Sequence, residues 1–124
     1  MSTVLIVEDN EKNMKLARDV LQAKGYKTIE AVTGEEGVKL AKESVPDLVL
    51  MDIQLPGING IEAFKQLRGD SKTARIPVVA LTASVTPTDR SAITAAGFDA
   101  FISKPINLKE FLETVKRIVD GAKR

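Results

Sequence analysis

Five times along this chain an apolar run of strand length is followed by a longer stretch with helical spacing. That alternation constrains the fold more than any composition figure. Strands separated by helices cannot pair as tight hairpins, so they must run parallel, with helices covering both faces of one sheet. The predicted strands lie at about 3–8, 26–32, 47–52, 77–82 and 98–103. Helix 1 spans about 11–24, buries Met14, Ala17, Val20 and Leu21, and ends at Gly25. Helix 2 opens on the capping box Thr33-x-x-Glu36 and stops before Pro46. Helix 3 follows a loop carrying Pro56, Gly57 and Gly60, with Ile61, Phe64 and Leu67 on its inner face, and a polar loop runs over 69–75. Helix 4 starts near Thr86, with Pro87 in its first turn and Asp89 completing the cap, and closes at Gly97. Helix 5 opens on Asn107-x-x-Glu110 and carries Leu108, Phe111, Leu112, Val115 and Ile118.

The order of the strands can also be read. Strands 1, 3 and 4 are apolar almost throughout, as central strands buried on both faces must be. Strand 2 mixes in Lys27, Thr28 and Glu30, and strand 5 alternates Phe98, Ala100 and Ile102 with Asp99, Phe101 and Ser103. Both read as edges. The resulting order, 2-1-3-4-5, is a doubly wound α/β sandwich of three layers, the flavodoxin-like winding. Its topological switch point falls between strands 1 and 3.

Composition narrows the chemistry. With 124 residues, 44% of them hydrophobic, the expectation is one domain over 1–124 with no output domain. There is no cysteine and no histidine. Thiolate nucleophiles, zinc–thiolate sites, a serine–histidine triad and a phosphohistidine of its own are therefore excluded. Net charge is +1, and the mildly basic tail of Lys116, Arg117, Lys123 and Arg124 suits a helix C-terminus rather than nucleic acid. The first apolar run meets acid at once, which fits neither a signal peptide nor a membrane span. The expected setting is the cytoplasm.

The strand ends carry the chemistry. VLIV (4–7) stops at Glu8 and Asp9, LVLM (48–51) at Asp52, VVAL (78–81) at Thr82 and AFIS (100–103) at Lys104. In a parallel sheet all four ends share one rim. Three crowded carboxylates repel one another unless a cation neutralises them, and magnesium takes such oxygen ligands while leaving room for phosphate. Asp52 is the candidate nucleophile, able to form an acyl phosphate. The backbone carbonyl of Gln54 is a further candidate metal ligand. The Thr82 hydroxyl and Lys104 ammonium could each meet a phosphoryl oxygen. Each residue alone has a plainer reading: Glu8 and Asp9 capping helix 1, Asp52 capping a turn, Thr82 following β-propensity. The agreement of four strand ends carries the argument.

The stretches VLIVEDN (4–10), PDLVLMDIQLPGINGIE (46–62), IPVVALTA (76–83) and DAFISKPI (99–106) resemble the receiver domain of two-component response regulators, over essentially the whole chain. Within that family they most resemble single-domain cell-division regulators of the DivK type. The resemblance implies that Asp52 is the phosphoacceptor, Asp9 a direct metal ligand and Glu8 a ligand through water. It makes Thr82 the switch hydroxyl, Lys104 the phosphate-facing lysine and Phe101 the switch aromatic. Mg2+ is the implied cofactor, with Mn2+ a substitute. The implied donor is a histidine kinase or histidine phosphotransfer protein docking beside helix 1 and the following-strand-5 loop, through Leu16, Pro105 and Ile106. Downstream protein effectors would read the phosphorylated state. The acidic pair is Glu-Asp rather than Asp-Asp, so metal affinity is expected to be altered rather than lost. Three rivals stand beside this reading. A magnesium-dependent aspartyl phosphatase would want a DxD pattern and a cap, but Gln54 occupies the second position. A nucleotide or flavin module would want a glycine-rich loop where EDNEKN stands. A receiver-like scaffold that takes no phosphate would not need Asp9, Asp52, Thr82 and Lys104 together.

Overall fold

The computed structural model describes residues 2–55, 57–83, 87–104 and 106–122, without the side chains of Pro87, Asp89 and Ala122. Strands and helices alternate: β1 (Thr3–Val7), α1 (Glu11–Ala23), β2 (Lys27–Ala31), α2 (Gly34–Ser44), β3 (Leu48–Asp52), α3 (Gly60–Arg68), β4 (Val78–Thr82), α4 (Pro87–Ala96), β5 (Ala100–Ser103) and α5 (Leu108–Ala122). All neighbouring strands pair in parallel, in the order β2-β1-β3-β4-β5. The polar strands are the edges, as their composition predicts.

Strand alternation divides the apolar residues between two layers. Val4, Ile6, Leu48, Leu50, Val79, Leu81 and Ile102 face α1 and α5, where they meet Met14, Ala17, Leu21, Phe111, Val115 and Val119. Leu5, Val7, Val49, Met51 and Val78 face the other way, against Val38, Ala41, Ala63, Phe64 and Leu67 of α2 and α3. Because β3 and β4 are fully buried on both faces, only their ends can meet solvent.

Side-chain caps start the helices. Asn10 accepts from the Asn13 N–H at 3.0 Å, Asn59 from Glu62 at 2.9 Å and Asn107 from Glu110 at 3.1 Å. The box at Thr33 forms with a variation. Thr33 Oγ1 accepts from the Glu36 N–H, while the Glu36 carboxylate reaches the Val32 N–H rather than that of Thr33. Gly25 and Gly97 end α1 and α4 at φ +89° and +100°, where a side chain would be strained.

The structure corrects several details. Ile61 is only half-buried, and the inner face of α3 is Gly60, Ala63, Phe64 and Leu67. Leu108 is 46% exposed, because the first turn of α5 is exposed and the buried face of the helix begins at Phe111. The 69–75 segment is not purely a solvated loop: Thr73 is buried and its hydroxyl donates to the Leu67 carbonyl at 2.6 Å. Strand β5 begins two residues late. The Asp99 carboxylate accepts from the Val78 N–H and from Arg68, at 2.8 and 3.0 Å. Thr86 and the turn residues Pro56 and Pro105 lie outside the described residues, as does the side chain of Asp89, the other expected cap. No helix among the described residues is long and apolar enough to cross a membrane.

Candidate functional site

The parallel sheet delivers its reactive side chains to one rim because all its strands end there. Glu8 directly follows β1, anchored by its N–H on the Ala31 carbonyl at 3.0 Å. Asp52 and Thr82 are the last residues of β3 and β4, and Lys104 follows β5 with its N–H on the Thr82 carbonyl at 2.8 Å. Glu8, Asp52 and Thr82 are 1%, 3% and 2% exposed, and Asp9 stands in solvent beside them.

Lys104 ties the site together. Its Nζ lies 2.6 Å from Glu8 Oε1 and 2.9 Å from Asp52 Oδ2. Carboxylate oxygens of Glu8, Asp9 and Asp52 all lie within 4.8 Å of one another. Burial pushes the Glu8 carboxyl up to about 7, neighbouring Asp52 adds to the rise, and Lys104 opposes it. Burial also works against the charge on Lys104, but the two carboxylates outweigh it and hold its pKa above the ordinary lysine value.

These groups fit a divalent cation. Every donor is a hard oxygen, and Glu8 Oε1 is buried beside a charge partner without a well-directed hydrogen-bond donor. The plainer readings fare unequally. Asn10, not Glu8 or Asp9, caps α1, which leaves both acids available. Asp52 does cap a turn, through Oδ1 and the Gln54 N–H at 2.9 Å, yet Oδ2 remains turned to Lys104.

A family model described as the response regulator receiver domain matches residues 4–116. The chain belongs to the response regulator receiver domain family. It is therefore a signalling module. The receiver is 48% identical over 120 residues to the polar-differentiation response regulator DivK of Brucella ovis, covering 97% of this chain and 98% of that one. The DivK of Brucella anthropi matches to the same extent. Among solved structures, the signal receiver domain of a Syntrophus aciditrophicus histidine kinase aligns with a TM-score of 0.92 at 31% identity, over 100% of this chain and 94% of that one. The receiver domain of a Pseudomonas aeruginosa sensor histidine kinase, described with a magnesium ion coordinated in its active site cleft, aligns at 0.90 with 29% identity, over 96% and 98%.

The other expected site residues stand in different surroundings. The Gln54 side chain is exposed, so its part in the site is limited to the backbone. Phe101 is half-buried rather than core, with the Arg90 guanidinium 5.1 Å from its ring centre. Leu16 is 36% exposed on α1, while Ile106 is partly buried against the α1–α5 layer. Pro105 lies outside the described residues.

One participant was missed from sequence. Gly60 donates its N–H to the Ile53 carbonyl at 2.9 Å, and a Cβ there would overlap the Asp52 carbonyl oxygen and stand 2.8 Å from Ile53 Cα. The receiver thus needs a glycine where α3 presses on the backbone of Asp52. The available signal was a glycine at the first position of a helix, a place that seldom favours it.

Proposed function

We propose that this receiver accepts a phosphoryl group on Asp52 from a phosphohistidine of a histidine kinase or histidine phosphotransfer protein, and signals by docking to effectors in the phosphorylated state. The observation that carries this is the Lys104 ammonium set between the buried Glu8 and Asp52 carboxylates, with Asp9 beside them. An Asp52 oxygen attacks phosphorus, an acyl phosphate O–P bond forms, the donor's N–P bond breaks, and the imidazole leaves with the electron pair. Lys104 would neutralise one phosphoryl oxygen, and the Thr82 hydroxyl at the end of β4 would bond another. Asp9, Asp52 and the Gln54 carbonyl would hold Mg2+, with Glu8 acting through water and Mn2+ serving as a substitute. The bound ion supplies charge neutralisation for the transferring group.

The signal would pass through Thr82 drawn inward and Phe101 following it. Leu16, Pro105 and Ile106 would form the donor's docking patch. The receiver and these relatives match over nearly their whole lengths, which supports signalling by docking. The relatives' name supports a role in polar differentiation, and the division-control role read from the sequence is part of the proposal. The reading places the protein in the cytoplasm and assigns it no turnover of an external substrate beyond its own phosphorylation and dephosphorylation.

Incubation with a small acyl phosphate, followed by intact-mass measurement, tests this. One acid-labile phosphoryl group is expected with magnesium, and none in chelator or in Asp52→Asn. Unchanged mass under all conditions defeats the reading. Many turnovers of donor hydrolysis, lost in Asp52→Asn, would favour an aspartyl phosphatase instead.

A further inference from the structure

On β5, Ile102 points into the α1–α5 layer, so strand alternation turns Phe101 to the opposite face, beneath α4. There it lines a shallow cavity together with Arg90, Ser91, Thr94 and Ala95 of α4. Residues on β4 alternate likewise. Val79 and Leu81 join the α1–α5 layer, which places Ala80 and Thr82 on the same face as Phe101. The register sets Phe101 against Ala80 and Ser103 against Thr82. The ring is thus a diagonal neighbour of Thr82 across a small, fully buried alanine. Outward, it is covered by the Arg90 guanidinium at 5.1 Å. Arg90 is exposed in the first turns of α4 and forms no ion pair among the described residues.

We infer that Arg90 is a positioning residue that holds Phe101 in its outward place and so sets how readily the receiver responds to phosphorylation. The inference rests on the phosphoacceptor reading above and on the Phe101 motion within it. A cation over an aromatic face is attracted by the ring's quadrupole. That attraction exists only while the ring is outward, because an inward ring leaves the guanidinium behind. An interaction present in one state alone shifts the equilibrium by its whole strength. Arg90 therefore opposes the pull of phosphorylated Asp52 on Thr82 and keeps the unphosphorylated population off. A single exposed pair of this kind is worth a factor of about two to five in that equilibrium. This is enough to tune a response and too little to block it. The same release frees the Arg90 charge on the α4–β5 face only in the activated state.

Fluorine NMR on the full chain with fluorophenylalanine tests this, with beryllofluoride and magnesium as the acyl phosphate analogue. The Phe101 signal is assigned by its loss in Phe101→Leu. Arg90→Gln should raise the inward fraction of the free chain by about two- to five-fold and lower the activator concentration for half-conversion by the same factor. Arg90→Lys should restore part of the native value, and all forms should coincide at saturating activator. If the native ring responds but Arg90→Gln matches the native chain in fraction and midpoint, the role of Arg90 is overturned and the phosphoacceptor reading stands. If the native chain binds the activator without ring motion, the switch and Arg90's part in it fall together. If it binds none, the phosphoacceptor reading itself falls.

Discussion

Glu8 is the residue whose environment departs furthest from its chemistry in water. It is 1% exposed, and its carboxyl is pushed up to about 7 against an ordinary value of 4.5. Between those values the folded chain holds a proton that the unfolded chain has released. Stability of the metal-free protein should thus fall as pH rises from about 4.5 to about 7 and level off above. Asp19 and Asp70, whose pKa values are lowered, titrate below this window. Glu8→Gln should remove this fall, by no more than ~3 kcal/mol at pH 8, as read by urea unfolding in chelator at pH 5 and pH 8. A pH-independent difference between the two proteins would contradict the assignment. The sequence showed that Glu8 closes a strand at an acidic rim. Its depth and its pairing with Lys104, ninety-six residues on, depend on how strands 1, 3 and 5 converge in space, and no local pattern carries that.

At the level of elements, local chemistry was legible wherever a side chain acts on its own backbone. Thr33 and Asn107 were read as caps because such residues before an apolar stripe satisfy free N–H groups, and Gly25 and Gly97 were read as stops. Helical spacing was a poorer guide to where a stripe leaves the sheet, so Leu108 and Ile61 were assigned too much burial. Helix α2 stops before Pro46 as its sequence predicts, but the left-handed cap there was not legible: Val45 has φ +44° and is 52% exposed. Left-handed backbone costs a residue with a Cβ about 1–2 kcal/mol, and glycine forfeits about 0.5–1 kcal/mol through its freer unfolded chain. Val45→Gly should therefore raise stability by about 0.5–1 kcal/mol in chemical denaturation, and a loss would show that the side chain is needed there. The start of α3 predicts the reverse. Gly60→Ala forces a methyl against the Asp52–Ile53 backbone, which should cost about 1–3 kcal/mol. It should also slow phosphoryl uptake by about 10- to 100-fold through misplacement of Asp52. Denaturation and timed mass measurement separate the two effects, and native uptake with reduced stability would make Gly60 purely structural.

For the whole molecule, sheet order was legible because burial is a property of composition: charged Lys27 and Glu30 could not occupy a central strand. Once the order is set, a parallel sheet obliges Glu8, Asp52, Thr82 and Lys104 to share a rim, and this is why a site spread over the length of the chain could be read from one sequence. Contacts made across layers could not be, and Arg90 over Phe101 is one of them. Glu8, Asp9 and Asp52 stand close enough to share one cation. Calorimetric titration of the native chain with Mg2+ at pH 7.5 measures that directly. One ion per chain is predicted, bound more weakly as pH falls below 7 and lost in Asp9→Asn; a flat titration, or uptake unaffected by that substitution, would contradict it.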